Sequence, residues 1–224
     1  MPTSQSSPAP AGIAPSGMAA AGRRGPGRPR GGGPLVGRPQ VLEAAVRAID
    51  HHGPEATMDD IAAAARVTKP IVYRTVGDKA ALTDALSEWL VDRIAAATAA
   101  AAHPGQTPRQ QFHAAVTAYL TTIAEHRNVF LFVNAVGPST ELFHRLVDRS
   151  AAGIVTLFGP LRVRAGLPGA GAATWGYGII GAMQVVATMW LHHAYGDAAE
   201  IADDMTRLLW DGAGTTTTAP ANHA

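Results

Sequence analysis

Within the stretch "TKPIVYRTVGDK", Thr68 to Lys79, the residue types and their spacing are those of a surface that grips a polyanion. Lys69 and Tyr73 lie four residues apart, as do Pro70 and Arg74, so a helix over this stretch carries ammonium, phenol and guanidinium groups on one face. A guanidinium donates two parallel hydrogen bonds to a phosphate or to a base edge, whereas an ammonium acts as a point charge. Thr68 stands at the helix start, where unspent backbone N–H groups meet anions.

The flanking sequence supplies the elements that must position this face. "TMDDIAAAARV" begins with Thr57 as N-cap and Asp60 three residues on, close to a capping box. Ile61, Ala62 and Ala65 form its inward face, and Val67, Val72 and Val76 supply the opposing one. Thr68 is expected to cap the second helix, with Pro70 tolerated in the first turn. Two short helices joined by about three residues make a helix-turn-helix. Upstream, "QVLEAAVRAIDHHG" gathers Val41, Leu42, Ala45, Val46 and Ile49 on one face and stops at Gly53-Pro54. Downstream, Gly77 ends the second helix and Asp78 caps a long helix running to about His103.

"TMDDIAAAARVTKPIVYRTVGDKAAL" resembles the DNA-binding signature of the TetR family of bacterial transcriptional regulators, over roughly Gln40 to Leu82. The resemblance implies that Tyr73 and Lys79 contact backbone phosphates, and that Thr57 and Thr68 do so from helix N-termini. It places Lys69, Pro70, Ile71 and Arg74 against bases or adjacent backbone, with Arg74 the first choice for guanine O6 and N7. Three residues depart from the pattern. Arg66 stands where glycine is usual, so the turn must hold a side chain where left-handed geometry is common. Val76 replaces an aromatic, and Ile71 occupies a position that is commonly small or hydroxylated.

The remainder reads as helices: Gln110 to His126, Thr140 to Leu161, Ala172 to Ala194 and Asp197 to Trp210, with breaks expected at Gly137-Pro138, Gly159-Pro160, Leu167-Pro168-Gly169 and Gly196. No segment alternates as a strand does, so the expected fold is all-α with about nine helices. The expected organisation is a disordered basic extension over 1–38, a helix-turn-helix domain over 39–84, an effector-binding and dimerisation domain over 85–212, and a disordered tail over 213–224. The resemblance implies a homodimer built from the last two long helices. Ile180, Met183, Ala187, Trp190 and Leu208 are the candidate interface, with small residues at Gly176, Gly178, Gly181 and Ala182. For a small-molecule effector the candidate lining is Phe112, Tyr119, Phe130, Phe132, Phe143, Phe158, Trp175 and Met183, with Asn134 and Gln184 as orienting polar groups. The scarcity of charge around "FLFVNAV" points to a largely apolar effector.

Charge is unevenly distributed. Residues 1–38 carry five arginines and no acidic residue, although the whole chain has a net charge of only +1. Gly27-Arg28-Pro29 partly resembles an AT-hook core, and Gly37-Arg38-Pro39 repeats the tripeptide. Two readings stand: a solvated tether, or an arm in which Arg28, Arg30 and Arg38 reach the minor groove or phosphates.

There is no cysteine, which excludes thiolate metal sites and a cysteine nucleophile. His51-His52 and His192-His193 are adjacent pairs and cannot share one ligand face as i, i+4 pairs do, so no metal is expected. No nucleophile elbow, P-loop or dinucleotide loop is found, so neither catalysis nor a cofactor is expected. The most apolar window, Gly178 to Leu191, is too short to span a bilayer. The family resemblance implies a cytoplasmic repressor, released from a palindromic double-stranded DNA operator by its effector. The alternative is a helical small-molecule-binding or enzymatic protein that keeps the motif without using it.

Overall fold

The computed structural model describes residues 36–212. The expectations for Arg28, Arg30, the rest of the extension up to residue 35 and the tail after residue 212 lie outside the described residues. Nine α-helices and no strand occur among the described residues: α1 (Arg38–His52), α2 (Met58–Ala65), α3 (Lys69–Val76), α4 (Lys79–Ala100), α5 (Pro108–Glu125), α6 (Arg127–Val136), α7 (Thr140–Arg164), α8 (Ala172–His193) and α9 (Ala198–Thr206). A 3₁₀ turn precedes α8, and a π turn, Arg207–Asp211, follows α9.

The first three helices close around Val41, Ala45 and Ile49 of α1, Ile61 and Ala62 of α2, and Val72 and Val76 of α3, all buried. Leu82 and Leu86 of α4 close the same core. Alanines at 45, 48 and 62 let the short helices approach closely, which a core this small needs. At 22 residues and about 1.5 Å per residue, α4 runs on from this core to pack on α5, α6 and α7.

Several boundaries differ from the sequence reading. Arg38 is the first residue of α1, with Gly37 as the extended N-cap and Pro39 in the first turn, so the second Gly-Arg-Pro begins a helix rather than continuing an arm. Proline suits that position because its missing N–H would have had no partner there. The expected break at Gly159-Pro160 does not occur: α7 passes through Pro160 to Arg164. An interior proline costs roughly 3 kcal/mol. Burial of Phe158 and packing of Leu157 and Leu161 against the core offset that cost. A joint at His126 (φ −113°, ψ 35°) separates α6 from α5.

Candidate nucleic-acid interface

Local sequence signals dictate the geometry of the reading head. Thr57 and Asp60 form a complete capping box: the Thr57 N–H and hydroxyl donate to Asp60 Oδ2 at 2.8 and 2.7 Å, and the Asp60 N–H donates back to Thr57 Oγ1 at 3.3 Å. These bonds hold the Asp60 carboxyl below its ordinary range. The hydroxyl expected to meet phosphate is therefore already engaged beside a carboxylate.

The turn between α2 and α3 is Arg66-Val67-Thr68. Arg66 adopts φ 55°, ψ 40°, the left-handed conformation anticipated at this glycine-favouring position. Its N–H donates to Ala63 O at 3.1 Å and that of Val67 to Ala62 O at 3.0 Å, the paired bonds of a Schellman ending. Val67 packs against the core and completes the motif.

Thr68 occupies the N-cap of α3, but its side chain makes no capping bond. Pro70 at the second helical position has no N–H to give, and the Ile71 N–H is held by Thr68 O at 2.9 Å. The Thr68 hydroxyl is left exposed at the helix start. Lys69, Pro70, Tyr73 and Arg74 are exposed, Ile71 is half-buried, and Val72 and Val76 anchor the opposite face. The expected cationic and aromatic face is thus assembled.

Two of its cations are engaged within the protein. Lys69 Nζ lies 2.8 Å from Asp59 Oδ2, and this hydrogen bond raises the lysine pKa. Lys79, at the start of α4, places Nζ 5.2 Å from the ring centroid of Phe132 on α6. The α3–α4 connection is Gly77 (φ +87°), followed by Asp78, whose carboxylate accepts the Ala81 N–H at 2.9 Å. Two contacts overlooked in the sequence tie this region to the helices behind it. Asn128 of α6 donates to Asp50 O of α1 at 3.2 Å, and the Ser139 N–H and hydroxyl donate to Asp84 of α4 at 2.8 and 2.9 Å. Neither spacing carries a local signal, since each joins residues more than fifty positions apart.

The residues expected to line an effector site do not gather into one cavity. Phe112, Phe158, Trp175 and the Trp210 of the π turn form an aromatic cluster with ring centroids 5.1 to 5.7 Å apart. Arg162 lies 4.4 Å over the Trp175 ring. Gln184 donates to Asn134 Oδ1 at 2.7 Å, so the two polar candidates satisfy each other across α6 and α8. Phe130, Phe132 and Met183 are ordinary buried core, and Tyr119 packs against it with its hydroxyl pKa raised by burial. Phe143 is 51% exposed and stands apart. An open groove of about 490 Å³ between α4 and α5 is lined instead by alanines and threonines, among them Ala97, Ala118 and Thr121, together with His103, Gln106 and Glu125.

The interface candidates also separate. Met183, Ala187 and Trp190 lie within the protein's own core, and the Trp190 indole donates to Gly196 O at 3.2 Å. They are unavailable to a second copy as the structure stands. Ile180 is half-buried, and Leu208 is exposed. The outward face of α8 presents Tyr177, Gly178, Gly181, Val185 and Met189. A Cβ on Gly178 or Gly181 would meet nothing within 4 Å, whereas one on Gly176 would come within 3.1 Å of Ala151 on α7. Among the described residues no helix is long and apolar enough to cross a membrane, and no group of three His, Asp or Glu could hold a metal.

Comparison with known proteins agrees with this geometry. The sequence family described as "Bacterial regulatory proteins, tetR family" matches residues 41–86, from α1 into α4. An uncharacterized HTH-type transcriptional regulator of Mycobacterium tuberculosis is 26% identical over 180 residues, covering 76% of this chain and 74% of that protein. A TetR-like transcriptional regulator from Rhodococcus sp. RHA1 superposes with a TM-score of 0.58 at 25% identity, over 79% of this chain and 94% of the other. The fatty acid degradation regulator FadR from Bacillus halodurans shares the fold, with a TM-score of 0.61 at 19% identity, over 81% of this chain and 97% of its own.

Proposed function

We propose that this chain is a DNA-binding transcriptional regulator of the TetR family, a homodimeric repressor released from a palindromic operator by a small, largely apolar effector. The observation that carries the reading is the exposed face of α3. Tyr73, Arg74, Lys69 and an uncommitted Thr68 hydroxyl project from a short helix whose other face is locked by Val72 and Val76. In this reading Arg74 reads guanine, Tyr73 and Thr68 hold phosphates, and Lys79 exchanges its contact with Phe132 for a phosphate. Pairing of two copies through the outward face of α8 would set two recognition helices about one DNA turn apart. Working on DNA, the protein acts in the cytoplasm. The extension, with Arg28 and Arg30, would add contacts from outside the described residues.

Effector release requires a ligand that binds one α4 orientation better than another. The contacts supporting such coupling are those of α6 and the start of α7 with α1 and α4: Asn128 to Asp50, Phe132 to Lys79 and Ser139 to Asp84. A gel-shift assay on the intergenic DNA upstream of the protein's own gene tests the reading. Retarded DNA is expected for the native chain and loss of the specific complex for Tyr73→Ala plus Arg74→Ala. Undiminished specific binding by that variant would exclude α3 as the reader.

A further inference from the structure

Arg66 sits in the turn between α2 and α3, where its backbone is left-handed at φ 55°. Outside glycine this conformation is disfavoured, because Cβ crowds the following carbonyl. Every hydrogen bond of the Schellman ending is made by backbone atoms of Arg66 and Val67, so glycine would build the same turn without that strain. The arginine side chain therefore contributes nothing that the turn itself needs. Its guanidinium is exposed and has no ion-pair or hydrogen-bond partner among the described residues.

The neighbouring cations differ in this respect. Lys69 is bound to Asp59, and Lys79 lies over Phe132, whereas Arg66 and Arg74 carry uncompensated charge. Arg66 also lies only three residues before Lys69, so their Cα atoms are at most about 11 Å apart. That limit keeps Arg66 within reach of the exposed Thr68 and the N-terminal turn of α3, the end that approaches the duplex in the proposed reading.

Resting on the reading of α3 as the DNA-contacting helix, we infer that Arg66 is an additional DNA-binding residue that clamps a backbone phosphate next to the N-terminus of α3, so that a strained turn is exchanged for affinity. A phosphate in that position is recognised by charge and paired N–H donors, without regard to base sequence. Because Arg66 needs no internal ion pair to be broken first, its contact adds affinity undiminished by competition, unlike that of Lys69.

The test compares the full-length native protein with Arg66→Gly and Arg66→Lys on a duplex of about 30 base pairs that the native protein selects from a random-sequence pool. Affinity is followed by fluorescence anisotropy from about 50 to 200 mM KCl, the range over which counterion release is readily resolved. Arg66→Gly is expected to bind about fiftyfold more weakly near 0.1 M salt, with the log–log salt slope reduced by about 1.8, one phosphate contact fewer in each subunit of the dimer. The same variant is expected to melt about 2 to 4 °C higher, because the left-handed strain is gone. Arg66→Lys should keep most of the slope. An Arg66→Gly protein with unchanged affinity and slope, or with weaker binding at an unchanged slope, overturns the inference. The Tyr73→Ala plus Arg74→Ala variant, measured alongside, separates the two readings. If it binds the selected duplex as the native chain does, or if no duplex is retained at all, the reading of α3 fails and takes the Arg66 contact with it.

Discussion

Replacing Gly77 by alanine probes the joint that sets α3 against α4, and the structure gives the cost in two separable parts. Gly77 has φ +87° and ψ −155°, a region open essentially to glycine alone, where a side chain costs about 1–3 kcal/mol. An added Cβ would also lie 2.7 Å from Ala81 Cβ, an atom fixed to the first turn of α4 that has no rotamer with which to withdraw. Relief of that overlap must come from backbone movement, at a further cost of about 1–3 kcal/mol. Gly53 is the internal control: its φ of +84° and ψ of −174° carry the same backbone cost, but a Cβ there meets nothing within 4 Å. With about 2 kcal/mol for each part and a melting shift of about 2–4 °C per kcal/mol for a domain of this size, Gly53→Ala should melt roughly 4–8 °C lower and Gly77→Ala roughly 8–16 °C lower. Thermal unfolding by circular dichroism, extended to Ala81→Gly and the double variant, isolates the steric part as a coupling energy of about 1–3 kcal/mol. Equal losses at the two glycines together with zero coupling would refute the claim that Gly77 is required by the close approach of α4. DNA affinity of the folded Gly77→Ala protein should fall as well, because the same movement displaces α3 relative to Lys79.

Other consequences concern the cap of α2 and the outer face of α8. Thr57→Ala removes an N-cap and should destabilise the protein by about 1 kcal/mol in urea titration. It should also change the response to acid. Asp60 is held below its ordinary value of 3.8 by hydrogen bonds from Thr57, so its contribution is present at neutral pH and is lost as pH falls through 3.8 toward the folded value. In Thr57→Ala that acid-side loss should be diminished, and an unchanged pH profile would show that the box is not formed in solution. Val185→Glu places a charge at a side chain that is 62% exposed, so it should leave the melting temperature nearly unchanged while shifting sedimentation from dimer to monomer. A variant that sediments as the native chain does would exclude this face from the interface.

The reading head was legible in the sequence because its determinants are local. The capping box at Thr57, the three-residue turn, the glycine at the end of α3 and the i, i+4 pairing of Lys69 with Tyr73 all act within a few residues. The left-handed Arg66 was an expectation of the family resemblance, which places glycine there, and not of its own residue type. One local inference failed for an equally local reason: a threonine N-cap needs a donor, and Pro70 removes the one at the second position while Ile71 gives its N–H to the Thr68 carbonyl. The ion pair between Lys69 and Asp59 and the placement of Lys79 over Phe132 depend on how helices meet, and no spacing announces them.

The same distinction explains why Met183, Ala187 and Trp190 of α8 are buried within the chain itself, and it turns the other face of α8 into an argument for pairing. Met183, Ala187 and Trp190 follow one another at helical spacing and do form a buried stripe, but the chain's own core covers it. An amphipathic helix reveals its inner face by the polar residues opposite. On α8 the opposite face carries Tyr177, Val185 and Met189, at 49%, 62% and 42% exposure, with glycines at 178 and 181 between them, so the sequence offers no polar side by which to orient the helix. A helix apolar on both sides has two surfaces to remove from water, and here only one has been removed. The two glycines leave open space where another helix backbone can approach closely, and the flanking large side chains supply the apolar area to bury. A second copy of the same face, brought in antiparallel by a two-fold axis, meets both requirements with one surface, and that symmetry would match the palindromic operator of the proposed function.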